Sequence, residues 1–210
     1  MDFLNSIILL TNFIIVPGIT YGSQLALGAS GVTLIYGVLR FANFAYGDLM
    51  AFGTMIVILV TWFLQSKGIT FGLLPTALLA LPVGILLTIA VSLFFDKTVF
   101  EYYRNKKSDP VTFIVVSLGI MFVLNAVVRI IIGPNDINFM DGHKFIMKAR
   151  EFKQMTGLNE GLALKSTQAI TIVLTVILVS ILFWFLNKTK TGKSMRAYSD
   201  NEDLALLSGI

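Results

Sequence analysis

Long unbroken apolar runs, separated by shorter polar ones, set the pattern of this chain. Five runs approach the length of a bilayer span: 18–39, 48–64, 73–95, 111–132 and 167–186. A helix rises about 1.5 Å per residue, so crossing ~30 Å of hydrocarbon takes roughly 20 residues. The run 48–64 is the shortest and sits at that limit. A further apolar stretch, 3–16, is too short to span alone, and Pro17-Gly18 is expected to kink or break the helix after it. It reads either as an interfacial segment or as the first half of a bent helix. Unpaired amides are costly in hydrocarbon, so spans are helices or closed barrels. Continuous rather than alternating apolar runs select helices. The expected fold is therefore all-α: a polytopic transmembrane helical bundle, with residues 1–210 forming one membrane domain that has no linker and no internal repeat.

Some polar and small residues interrupt this pattern in an ordered way. Gly18, Gly22, Ala26 and Ser30 recur every fourth position, which places them on one helix face where another backbone can approach closely. This predicts a helix-packing face, either an ordinary one or one bordering a substrate path. The run Tyr36 to Asp48 ends in Arg40, Asn43 and Gly47-Asp48. Two readings fit it. One is a plain cytoplasmic turn in which Asp48 caps the next helix and complements its dipole. The other is an irregular segment buried among helices, with Asn43 and Asp48 lining a polar path, which membrane proteins tolerate only where protein or a water cavity covers it. Asn125 lies inside a span, where its amide needs an interhelical partner or a pore to face.

Composition strengthens the membrane reading. Hydrophobic residues make up 56% of the chain and charged ones 13%, against roughly one quarter charged in soluble domains. The chain has no cysteine, so disulfides, zinc thiolates and cysteine nucleophiles are excluded. The net charge of +4 is spread over loops and does not suggest nucleic-acid binding. With the C-terminal segment placed in the cytoplasm, Arg40, Lys97, Arg104, Lys106, Lys107, Lys188, Lys190, Lys193 and Arg196 fall on the inner side. Lys67, Lys144, Lys148, Arg150, Lys153 and Lys165 fall on the outer side, and Arg129 can snorkel from its helix end. Basic density favours this orientation: loop 97–110 carries four basic residues in fourteen, and 133–166 carries five in thirty-four.

Catalytic chemistry is absent from the pattern. No Ser/His/Asp set or carboxylate pair converges, and His143, the only histidine, sits in the polar stretch 133–166 without metal-ligand company. No cofactor and no metal are implied. Gly192-Lys193-Ser194 looks like the end of a phosphate loop, but Asn187 stands where that loop requires its first glycine. The last apolar run gives way to a basic, glycine-containing segment, then to the acidic cluster Asp200 to Asp203, then to Ala205, Leu206, Leu207 and Ile210 at helical spacing. The acidic cluster suits a helix N-terminus. The short amphipathic helix it would open fits either a partner's groove or an anionic lipid surface.

Two blocks carry a family resemblance. Leu34 to Asp48 and Thr189 to Ala197, the latter continuing to Asn201 and Gly209-Ile210, resemble the membrane-spanning permease subunits of bacterial ATP-driven importers for branched-chain amino acids. The family commonly has histidine at the position of Tyr46. The likeness covers nearly all of residues 15–210. It implies an inner-membrane transport subunit that is not itself an enzyme, with partners that comprise cytoplasmic ATPase subunits, a second homologous permease subunit and an external solute-binding protein. It implies that 187–210 is a cytoplasmic coupling segment, with Thr191, Gly192, Arg196, Asn201, Glu202, Leu206 and Gly209 meeting the ATPase. Asn43, Tyr46, Asp48 and Asn125 become candidates for the translocation path. Family members continue past this segment with further helices, so the chain reads as truncated. Relatives importing urea or short amides share much of the pattern. A self-sufficient secondary transporter or channel is the alternative class, and would need membrane-embedded ionisable groups. Only Asp48 and Arg129 come close, both near helix ends.

Overall fold

A computed structural model describes residues 2–72, 74–135, 139, 141, 145–201 and 204–205. The chain begins with α1 (Asp2–Leu10), a π turn over Thr11–Ile15 and α2 (Val16–Leu39). Next come α3 (Ala45–Ser66), α4 (Ala77–Phe95), a second π turn over Asp96–Phe100 and α5 (Glu101–Asn105). The remaining elements are α6 (Pro110–Ile132), β1 (Phe145–Met147), α7 (Ala149–Thr156), β2 (Leu164–Lys165), α8 (Ser166–Lys188) and α9 (Lys190–Asp200). Among the described residues five helices are long and apolar enough to cross a membrane: Phe3–Leu39, Ala45–Ser66, Ala77–Asn105, Pro110–Ile132 and Ser166–Lys188. The fold is an all-α polytopic bundle whose strands, among the described residues, are confined to one small antiparallel hairpin, β1 with β2.

Three boundaries differ from the sequence reading. Pro17 does not break the first helix. The backbone widens just before it, where the Val16 N–H reaches Thr11 O. Proline's ring clashes with the carbonyl four residues back, and a π turn displaces that carbonyl. The stretch 3–16 is thus the first part of one long helix rather than a separate interfacial segment. The basic loop expected over 97–110 is helical as far as Asn105, and Arg104 reaches back to Asp96 in a two-pronged ion pair at 2.8 and 2.9 Å. That pair is exposed and contributes at most about 1 kcal/mol. The marginal run 48–64 extends at both ends to 22 residues.

The molecule packs as two compact units, 39–142 and 1–38 with 143–210. The first holds the larger core. Phe41, Ala45, Phe100, Ile120 and Leu124 are buried together, and Phe41 stacks on Phe113 with ring centroids 5.1 Å apart. Helices α3 and α4 cross at two glycines. A Cβ on Gly53 would lie 2.6 Å from Thr88 Oγ1, and one on Gly84 would strike Val57 Cγ2. The ends of the same two helices are joined by Asp141, which accepts from Gln65 Nε2 at 2.9 Å and from the first amide of α4, Ala77, at 2.6 Å.

In the second unit Asn12, inside the π turn, holds the segment before α8. Its Nδ2 donates to Gly161 O at 2.7 Å and its Oδ1 accepts from Ala163 N at 3.0 Å. Gly161 has no room for a side chain, since a Cβ would collide with the Ala149 backbone. The polar stretch 133–166 is therefore partly built, with a hairpin and the helix α7 in it, and α7 stops at Gly157 with φ +69°. The stripe Gly18, Gly22, Ala26 and Ser30 stays open. Among the described residues nothing lies within 4 Å of a Cβ added at Gly18 or Gly22, and Ala26 is exposed. The close packing it predicts is not made among the described residues of this chain.

Candidate functional site

The link between α2 and α3 is short and irregular. α2 ends at Leu39, Arg40 takes the left-handed conformation at φ 58°, and helix resumes at Ala45. Left-handed backbone is unfavourable for a residue with a side chain, so surrounding contacts must hold it. They are visible next to it. Phe41 is 7% exposed within the aromatic core. The Phe44 amide donates to Ser117 Oγ of α6 at 3.2 Å, and Ser117 in turn donates to Ile114 O. Asn43 Oδ1 accepts from the Ala45 amide at 3.1 Å. Asn43 thus makes a side-chain turn leading into α3, whose N-cap, Phe44, has no side-chain hydrogen bond, and Asp48 does not cap the helix. A plain solvated turn does not describe this link, because the Phe41 side chain and the Phe44 amide are committed to the core, although the Phe44 ring is exposed.

Asp48 lies in the first turn of α3, where a carboxylate suits the helix dipole. Its Oδ1 accepts from Asn125 Nδ2 of α6 at 2.9 Å. The structure thus joins two residues that the sequence placed 77 positions apart. Both are half-buried, as is Tyr46. The Asn43 side chain turns to its own helix start and does not join the pair. Ser117, fully buried, belongs to the same α3–α6 seam; no spacing in the sequence marked it out.

The C-terminal segment is arranged differently from expectation. The basic stretch is itself helix α9, set off from α8 by one residue, Thr189, with extended backbone. The Thr189 hydroxyl donates to Phe185 O at 2.7 Å and accepts from Gly192 N at 3.0 Å, so one side chain closes the end of α8 and the start of α9. Gly192 is buried in this corner. A Cβ there would collide with Phe185 O and lie 2.6 Å from Leu186 Cα. Arg196 spans the corner, its Nη1 donating to Asn187 Oδ1 at 2.9 Å. Thr191 points outward and is exposed. Further along α9, a Cβ on Gly37 of α2 would meet Ser199 Oγ at 3.1 Å, so α9 rests against the end of α2. Asn201 ends α9 and opens the next turn, its Oδ1 accepting from Leu204 N at 3.1 Å. Asp200, expected at the start of a helix, is instead the last residue of α9, and the helix expected after it lies mostly outside the described residues. Glu202, Leu206 and Gly209, like His143 and Lys144, lie outside the described residues.

The chain matches the family described as branched-chain amino acid transport system, permease component, over residues 14–210. It belongs to that family. Among curated relatives, the chain is similar to the high-affinity branched-chain amino acid transport system permease protein LivH of Escherichia coli K12. The two are 25% identical over 197 residues, covering 92% of this chain and 60% of the relative. LivH of Salmonella typhimurium is 24% identical over the same length and shares of each chain. BraD of Pseudomonas aeruginosa, a permease protein of the same kind of system, is 23% identical over 205 residues, covering 93% of this chain and 61% of the relative. The chain spans about three fifths of the length of the curated relatives it matches. No solved structure matches it significantly. Family and helices together make it a multi-pass membrane protein.

Proposed function

We propose that this chain is the membrane-spanning permease subunit of an ATP-driven importer that carries branched-chain amino acids across the bacterial inner membrane. The observation that carries the reading is the family match over residues 14–210. In this reading ATP is hydrolysed on separate cytoplasmic subunits. A solute-binding protein delivers the amino acid to the outer face, and a second homologous permease subunit completes the pathway.

The corner between α8 and α9 suits a mechanical input on the cytoplasmic side. A load on the exposed Thr191 face of α9 passes to α8 through the Thr189 hydroxyl and the Arg196–Asn187 bond. The same load reaches α2 where Ser199 abuts Gly37. Two transmembrane helices thereby respond to one docking event, as alternating access requires. Asp48, Asn125 and Tyr46 are the polar candidates for the path within the α3–α6 seam, with Asn43 positioning the start of α3. The stripe on α2 offers a close-approach face to a helix from outside this chain.

The test is uptake of radiolabelled leucine, isoleucine, valine and urea by host cells with and without the chain. Loss of energy-dependent uptake of the three amino acids, with urea unaffected, is the expected result. Unchanged amino-acid uptake overturns the reading, and selective loss of urea reassigns the cargo. Orientation is checked separately. Because the chain has no cysteine, Lys193→Cys can be labelled without background, and it should react with membrane-impermeant thiol reagents only from the cytoplasmic side.

A further inference from the structure

The unit formed by 1–38 and 143–210 contains a cavity of about 450 Å³, within the range of small-molecule sites. Its apolar lining includes Leu9, Phe13 and Phe145, and its charged lining comprises Lys153, Glu160 and Lys165. Three observations bear on what it could hold. First, one wall is the π turn over Thr11–Ile15, and such widened turns occur frequently at functional sites. Second, that turn is tied to the segment before α8. Asn12 spends both ends of its amide on Gly161 and Ala163, and the Glu160 amide donates to Asn5 Oδ1 at 3.4 Å. Third, among the described residues no ion pair holds Lys153, Glu160 or Lys165; both lysines are exposed and Glu160 is half-buried. The cavity therefore presents both signs of charge beside apolar side chains.

We infer that this cavity is a binding site for the zwitterionic form of an apolar α-amino acid, on the outer side of the membrane in the orientation proposed above. Lys153 and Lys165 face the carboxylate, Glu160 faces the ammonium, and Leu9, Phe13 and Phe145 take the aliphatic side chain. An anionic lipid headgroup would use the two lysines, but Glu160 would repel it. A ligand carrying both charges uses all three groups. This assignment rests on the importer reading for its cargo, and it adds a receiving site on the permease itself, distinct from the Asp48–Asn125 pair.

The test is equilibrium binding of labelled leucine to the purified chain in phosphatidylcholine nanodiscs, without any binding protein. Saturable binding is expected. Leucine amide lacks the carboxylate and 4-methylpentanoate lacks the ammonium, so each should compete at least about tenfold more weakly than leucine, the scale of one lost charged hydrogen bond. E160Q and the double variant K153Q/K165Q should each weaken leucine binding by about the same factor, with helix content and thermal unfolding unchanged. The analogue series uses the unaltered chain, so it decides the matter even where a variant folds poorly. Absence of saturable binding, equal competition by both analogues, or displacement by phosphatidylglycerol but not by unlabelled leucine overturns the site. Should any of these occur while cellular uptake still depends on the chain, the importer reading stands and this cavity is not its receiving site.

Discussion

Two sets of small residues in this molecule behave in opposite ways. On α2, Gly18, Gly22, Ala26 and Ser30 form a regular four-residue stripe, yet Gly18 and Gly22 have no close neighbour among the described residues. On α3 and α4, Gly53 and Gly84 follow no such repeat, yet each lies against a side chain of the other helix so closely that a methyl group would not fit. Spacing states where two backbones are able to meet. Whether they do depends on a second surface with matching small residues at the same height, and that surface can lie in a different molecule. Gly192 makes a third case, closed by the backbone of the preceding helix rather than by a neighbour's side chain.

Substitutions at these glycines separate the cases by sign as well as size. The largest effect is expected from Gly84→Leu, which drives a bulky group into Val57. Overpacking of this kind costs about 1–3 kcal/mol, read as a lowered unfolding temperature in detergent or a loss of folded yield. Gly192→Ala comes next. Alanine favours a helix over glycine by about 0.5–1 kcal/mol, so a stabilised protein would show that the corner has room. The contact with Phe185 O and Leu186 Cα predicts the reverse, a destabilised α8–α9 corner and uptake reduced several-fold. Arg196→Glu should reduce uptake in the same assay by removing the bond to Asn187, with global stability nearly intact. The Asp48–Asn125 bond is smaller. A double-mutant cycle with Asp48→Leu and Asn125→Leu should give a coupling of about 0.6 kcal/mol and at most about 1.7 kcal/mol, the range for hydrogen bonds between membrane helices, and zero coupling would remove that bond from the seam. Smallest in the isolated chain is Gly22→Leu, expected within about 0.5 kcal/mol of the parent. If the open stripe receives a helix from another subunit, that variant should combine unchanged stability of the isolated chain with lost uptake, alone among the glycine substitutions. A marked loss of stability in the isolated chain would mean that the stripe is already covered.

Much of this architecture could be read from the chain alone. The five spans come from run length and continuity, because lipid forces apolar segments to satisfy their own amides. Boundaries were harder where charged residues are good helix formers: Lys97, Glu101 and Arg104 read as a basic loop, but helix continues through them to Asn105. Pro17 left a kink and a break both open, and the π turn that keeps the helix continuous has no sequence signature. At the candidate sites, Asp48 and Asn125 were each legible as polar residues in apolar surroundings, whereas their pairing was not, since it depends on the register of α3 against α6. Asn187 drew attention only as the residue that spoils a phosphate loop; its contact with Arg196 runs around a corner that no linear spacing encodes. Asp141 was hidden for the same reason, 64 residues from the amide it accepts from.

That last clamp has a mechanical consequence. Helices α3 and α4 are interlocked midway by their glycines and stapled at one rim by a single carboxylate. Such a pair resists scissoring, so it should tilt as a single paddle, with hinging displaced to its unstapled end, where α3 meets the irregular link carrying Arg40 and Phe41.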